Sequence, residues 1–166
     1  MPSVLPIVIF PDDCLKRKSE LVTEVTPEIR AFCEDLVATA KSRSDCAGLA
    51  APQLGVNKRI IVVFFEKKKP LIMLNPKAIA PEGVDGKQYT NHNQVVKEGC
   101  LSFPGTWREI ARPYLIGLEY QDLNLVTHKR LVSGFFSTLV QHEIDHLDGV
   151  VFTSYPISRS NSGRVM

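Results

Sequence analysis

The chain has little of what marks the specialised classes of protein. Its formal net charge is +2, too small to argue for nucleic acid or a membrane surface as a partner. Four cysteines, Cys14, Cys33, Cys46 and Cys100, lie far apart with no CxxC pair. That spacing argues against a disulfide framework and a zinc ribbon, and it fits a reducing compartment. No segment approaches the roughly 20 apolar residues that a membrane-spanning helix needs. The apolar run from Val4 to Phe10 is short, broken by Pro6 and stopped by Pro11, with no basic residue ahead of it. It does not read as a signal peptide. Repeats and low-complexity linkers are missing too. The expectation is one continuous cytoplasmic domain over residues 1–166, with a polar tail from about residue 155.

What is present is ordinary globular material. Hydrophobic residues make up 44% and charged residues 23%, enough for a real core. Lys67-Lys68-Lys69 reads as a solvated turn. Thr26 can cap a helix with Pro27 at its first position, and Ile29, Phe32, Cys33, Leu36, Val37 and Ala40 give that helix an apolar stripe. Arg59 to Phe65 is β-branched and aromatic, a strand pattern, and Leu71 to Leu74 is a second strand ended by Asn75-Pro76. Tyr114 to Tyr120 and Leu125 to Val132 suggest a hairpin around Asp122-Leu123-Asn124. A second long helix should start near Ser133 and stop at Gly149, with Val150 to Phe152 as a short final strand. This order predicts an α+β fold, with curved, mostly antiparallel sheets packed around a central helix.

That helix carries His142-Glu143-Ile144-Asp145-His146, an HExxH run. Positions i and i+4 share a helical face, so both imidazoles can reach one metal ion. Glu143 can then take a proton from a water that the metal has made acidic. Leu139, Val140 and Ile144 make the same helix apolar, so two histidines and a carboxylate buried there are hard to satisfy without a cation. Hydrolytic zinc sites usually take a third protein ligand. His92, His128, Cys100 and several acids are candidates, and spacing alone does not choose among them. His92 and His128 sit in polar surroundings and read as surface residues. Cys100 has the stronger setting, beside Gly99, and a thiolate is a good ligand for a borderline-soft divalent ion.

Three separated blocks resemble the signature motifs of the peptide deformylase family. They are Gly48-Leu49-Ala50-Ala51-Pro52-Gln53, Glu98-Gly99-Cys100-Leu101-Ser102 and Gln141-His142-Glu143-Ile144-Asp145-His146, in the family's order. The resemblance runs from about Ile9 to Phe152. It implies an α+β fold and a ferrous ion, with zinc, nickel or cobalt as substitutes, held by Cys100, His142 and His146. It also implies removal of formate from the N-formylmethionine of nascent polypeptides. Glu143 then matches the general base. Gln53 matches the side-chain donor to the formyl oxygen, and Leu101 gives that oxygen its backbone N–H. A lost donor around a developing oxyanion can cost ~2.7–4 kcal/mol.

Gly48 would let an extended peptide approach as an added strand, and Gly99 has a similar claim beside Cys100. Phe135 and Leu139, one helical turn apart, are expected to line the slot for the methionine side chain, against the alternative of plain core. The first motif commonly opens with glycine two places before Gly48, where this chain has Cys46; that residue is expected to pack near the site without ligating. Some relatives carry a long C-terminal helix implicated in ribosome contact, and residues 155–166 do not have its composition. Expected partners are N-formylmethionyl nascent peptides and, without that helix to dock it, at most a transient ribosome contact, with no membrane and no specific nucleic acid. Two rival classes remain. A zinc endopeptidase would share the HExxH helix but have no use for a cysteine ligand, and a metal-free binding module would lack a ligand or the base.

Overall fold

Helix α1 (Pro27–Lys41) starts where Thr26 Oγ1 accepts the Ile29 N–H at 3.2 Å and Pro27 fills the first turn. The computed structural model describes residues 1–66 and 69–156. The apolar stripe of α1 packs on strands β1 (Gly48–Ala50) and β2 (Ile60–Glu66). Strand β2 is apolar at successive positions because both its faces are covered. Ile60 and Val62 pack with Leu36 and Leu49 on the α1 side, whereas Ile61 and Val63 pack with Met73, Leu118 and Val140 on the other.

Strand β3 (Lys69–Ile79) corrects the expected stop at Asn75-Pro76. The chain passes through both residues with a register shift between Leu74 and Lys77. Asn75 takes φ 51°, and its side chain bonds the backbone of Val22 in both directions and the Gln121 amide. A bulge tolerates Pro76, since no ladder donor is needed there. Of the Lys67 to Lys69 run only Lys69 falls within the described residues, exposed at the start of β3.

After the one-turn helix α2 (Glu82–Asp85) comes a long hairpin, β4 (Asn93–Cys100) and β5 (Phe103–Pro113), forming its own two-stranded sheet. Strands β6 (Leu115–Gln121) and β7 (Thr127–Ser133) form the second hairpin, around the expected turn at Asp122-Leu123-Asn124. The larger sheet has the order β1-β2-β3-β6-β7, and the pairings between these strands are antiparallel.

Helix α3 (Gly134–Leu147) follows directly and crosses the face of the larger sheet while also touching β5. Val140, Ile144 and Leu147 enter the core with Ile61, Met73 and Leu118. The short strand expected at Val150 to Phe152 is not formed. Phe152–Ser154 is a single 3-10 turn, and Phe152 is buried edge-on against Phe103 and beside the His142 ring. Side-chain burial, not strand pairing, decides the backbone path there. Among the described residues no helix is long and apolar enough to cross a membrane. The expected polar tail lies mostly beyond residue 156, outside the described residues.

Candidate metal centre and active site

Helix α3 delivers His142, Glu143 and His146 as buried side chains on its inner surface. The final residue of β4 delivers Cys100 from the hairpin on the other side. One donor atom from each of Cys100, His142 and His146 lies within 4.8 Å of the other two. His146 Nε2 stands 3.4 Å from Cys100 Sγ. His92 and His128 take no part in this cluster: one stacks on Tyr114 and the other pairs with Asp122, both exposed.

Two observations test whether this trio fits a metal. The first is orientation. His142 Nδ1 lies 2.8 Å from Glu98 Oε2, which suits a tautomer with its proton on Nδ1 and its other nitrogen free to ligate. The second is charge. Burial works against protonated His142, but bonds to Cys100 and Glu98 and the Glu143 charge push it up to about 10 in the absence of a cation. Donors that attract a proton this strongly attract a divalent ion, which displaces it. His146 is held well below its ordinary value, by burial first and then by the His142 charge, and neutral imidazole is the ligating form. The residues fit a divalent metal with one thiolate and two imidazoles.

Behind the trio sits a buried ion network. Arg112 Nη2 donates to Glu98 Oε2 at 3.0 Å, and Nη1 donates to Asp145 Oδ2 at 2.9 Å. The Tyr155 hydroxyl donates to the same Asp145 oxygen at 2.8 Å. Burial alone would raise Glu98, yet hydrogen bonds from His142 and Arg112 and the Arg112 charge bring it below the usual carboxylate range. The link from Glu98 to His142 was missed, although strand alternation already places Glu98 and Cys100 on one face.

Glu143 is the unusual carboxylate. Its Oε2 is buried without a hydrogen-bond partner among the described residues. Burial, set against the opposing His142 charge, pushes it up to about 7. Gly48 makes room for it, because a Cβ there would stand 2.9 Å from Glu143 Oε1 and 3.0 Å from Leu139 Cδ1. The need for glycine thus comes from α3 as well as from any incoming chain. Gln53 is also buried. Its Oε1 accepts the Ala50 N–H at 3.0 Å, and its Nε2 lies 3.3 Å from Ser102 Oγ and 3.5 Å from Cys100 Sγ.

These groups surround a cavity of about 480 Å³. Gly48, Gln53, Gly99, Leu101, Phe135 and Leu139 all line it, together with Cys100, His142 and Glu143. Phe135 is 58% exposed and stands at the mouth, whereas Leu139 is buried further in. Val96, Thr138 and Trp107 also line the cavity and had no local signal in the sequence. Cys46 faces it too; its thiol donates to the Gly48 carbonyl at 3.2 Å and is not in the metal-ligand trio.

Comparison with known proteins agrees in family and in fold. A family model for polypeptide deformylase matches residues 4–162. The chain is 40% identical over 150 residues to a peptide deformylase of Desulforudis audaxviator, covering 90% of this chain and 92% of that one. It is 35% identical over 168 residues to one of Afipia carboxidovorans, covering 99% and 92%. The crystal structure of Thermotoga maritima peptide deformylase superimposes with a TM-score of 0.81 at 30% identity, over 93% of this chain and 98% of that one. A Synechococcus elongatus peptide deformylase in complex with actinonin gives 0.80 at 32% identity, over 93% and 80%.

Proposed function

The chain belongs to the peptide deformylase family of metal-dependent enzymes, which remove the N-formyl group from newly made polypeptides, and we propose that Cys100, His142 and His146 hold its metal. The carrying observation is the convergence of these three donors within 4.8 Å of one another. Residues 1–166 act as one catalytic domain, a reading supported by the family match over residues 4–162.

A divalent ion at this trio supplies Lewis acidity and activates water for attack at neutral pH. Glu143 is the base. Its Oε2 has no hydrogen-bond partner among the described residues, and burial pushes the carboxyl up to about 7, so it can take and return a proton near neutrality. The water oxygen adds to the formyl carbon as Glu143 accepts the proton. Glu143 then hands that proton to the nitrogen as the C–N bond breaks, leaving formate and a free amino terminus. The Gln53 amide and the Leu101 N–H steady the developing oxyanion. Glu98 holds His142 in its ligating orientation, and Arg112 holds Glu98.

The peptide lies extended between β1 and β4. Each has an edge without a strand partner among the described residues, and Gly48 and Gly99 on these strands line the cavity. The first side chain points toward α3, with Leu139 inside the slot and Phe135 at its mouth. Actinonin, present in the Synechococcus elongatus structure, is expected to bind this cavity here too.

The ion we assign is ferrous iron, with zinc, nickel or cobalt able to replace it. The partners are N-formylmethionyl nascent peptides in the cytoplasm, met through a transient ribosome contact. Anaerobic turnover of formyl-Met-Ala-Ser, with metal content measured on the same sample and an internal peptide as control, tests this function. Iron in the active preparation with decay in air, and persistence of a nickel-loaded form, are the expected results. Equal air stability of the two forms would remove the iron assignment.

A further inference from the structure

Trp107 is the only tryptophan in the chain, and it stands 61% exposed on the rim of the catalytic cavity. It pairs across the hairpin with Gly99, the residue before Cys100. A Cβ on Gly99 would lie 2.7 Å from the indole Cζ3, so the ring lies against bare backbone at this position. Lys97 Nζ is 5.8 Å from the ring centroid. A large apolar ring left in solvent beside an active site is a candidate contact for whatever enters that site.

Strand alternation says which part of the substrate meets it. Glu98 and Gly99 point to opposite faces of β4, and Glu98 faces His142 on α3. Trp107, on the Gly99 side, therefore stands on the face turned away from α3. A peptide running beside the open edge of β4 alternates in the same way. With its first side chain directed toward α3, its second is directed to the Trp107 side. We propose that Trp107 is the specificity determinant for the second residue of the formyl-peptide, favouring aromatic and bulky apolar side chains over glycine. Lys97 beside the ring disfavours lysine at that position through like charge. This rests on the peptide path proposed above.

The test compares kcat/KM of the metal-loaded enzyme on formyl-Met-Xaa-Ser, with Xaa as Phe, Leu, Gly or Lys. Phe should exceed Gly by about tenfold, mainly through KM. Trp107→Ala should reduce that ratio to near unity, and Trp107→Phe should restore most of it. An independent readout comes from the indole itself. Emission of Glu143→Gln protein should shift to the blue on titration with formyl-Met-Phe-Ser and stay unmoved with formyl-Met-Gly-Ser. Equal kcat/KM for Phe and Gly, a ratio that survives in Trp107→Ala, or emission that ignores saturating Phe peptide would each overturn the proposal. Preference for formyl-Met over formyl-Ala without dependence on the second residue removes the platform and leaves the path standing. Loss of both preferences removes the path as well.

Discussion

Glu98 Oε2 lies 2.8 Å from His142 Nδ1, so a carboxylate two residues before Cys100 orients a ligand candidate on a different element. This contact ties the hairpin β4–β5 to helix α3 beside the proposed metal centre. Arg112, 2% exposed, reinforces it by bonding both Glu98 and Asp145.

Removing Glu98 should therefore cost metal before it costs fold. Glu98→Ala is expected to lower metal affinity by ~10–100-fold, read by chelator competition. Arg112→Ala leaves two carboxylates facing each other without their cation and should destabilise the protein by ~3–5 kcal/mol. An Arg112→Ala protein with wild-type melting temperature and wild-type metal retention would sink this account of the network.

Glu143→Gln should keep its metal, because Glu143 lies outside the proposed ligand trio, and lose deformylation by ~10²–10⁴-fold, because an amide accepts no proton. The base must be ionised to act, so kcat/KM of the wild type rises with pH through its ionisation. Burial, set against the opposing His142 charge, pushes Glu143 up to about 7, and a dication beside it would pull that value down. The acidic limb is therefore expected below pH 7 and should vanish from the residual rate of the variant. A metal-loaded Glu143→Gln enzyme with near-normal turnover would falsify the base assignment.

The cysteines should separate cleanly under alkylation. Burial is the first cause raising all three bystander thiols: Cys14 and Cys33 to about 11, and Cys46 to about 12. At pH 7.5 a thiol near 11 is ionised in only ~1 molecule in 3,000. Iodoacetamide should label the metal-loaded protein slowly, and stripping the metal should add one rapidly labelled site, Cys100, by mass spectrometry. Labelling of Cys100 that is indifferent to the metal would argue against its role as a ligand.

The slot beside Leu139 should prefer an unbranched apolar side chain. Each buried CH₂ contributes ~0.8 kcal/mol, so formyl-Met and formyl-norleucine peptides should exceed formyl-Ala by at least ~30-fold in kcat/KM. Leu139→Ala should shrink that difference. Equal turnover of formyl-Met and formyl-Ala peptides would show that no such slot operates.

The parts legible in the sequence were those written locally. The HExxH spacing needs only a helix to place two imidazoles on one face. Thr26-Pro27 carries its own start signal, and Asp122-Leu123-Asn124 its own turn. Motif order across the chain pointed to the family, singled out Cys100 among the candidate third ligands and brought Gln53 and Leu101 forward. Tertiary structure decided what depends on register and on contact between distant segments. β3 runs through Asn75-Pro76 because Val22 and Gln121, far off in sequence, satisfy the Asn75 side chain. Phe152 turns inward to fill space against Phe103, although its flanking valines suggested a strand. Glu98 reaches His142, and Trp107 covers Gly99, only once hairpin register sets which side chains share a face. A local pattern encodes the period of an element. It does not encode which neighbour that element meets, and the Glu98–His142 contact and the rim of this site are made of such meetings.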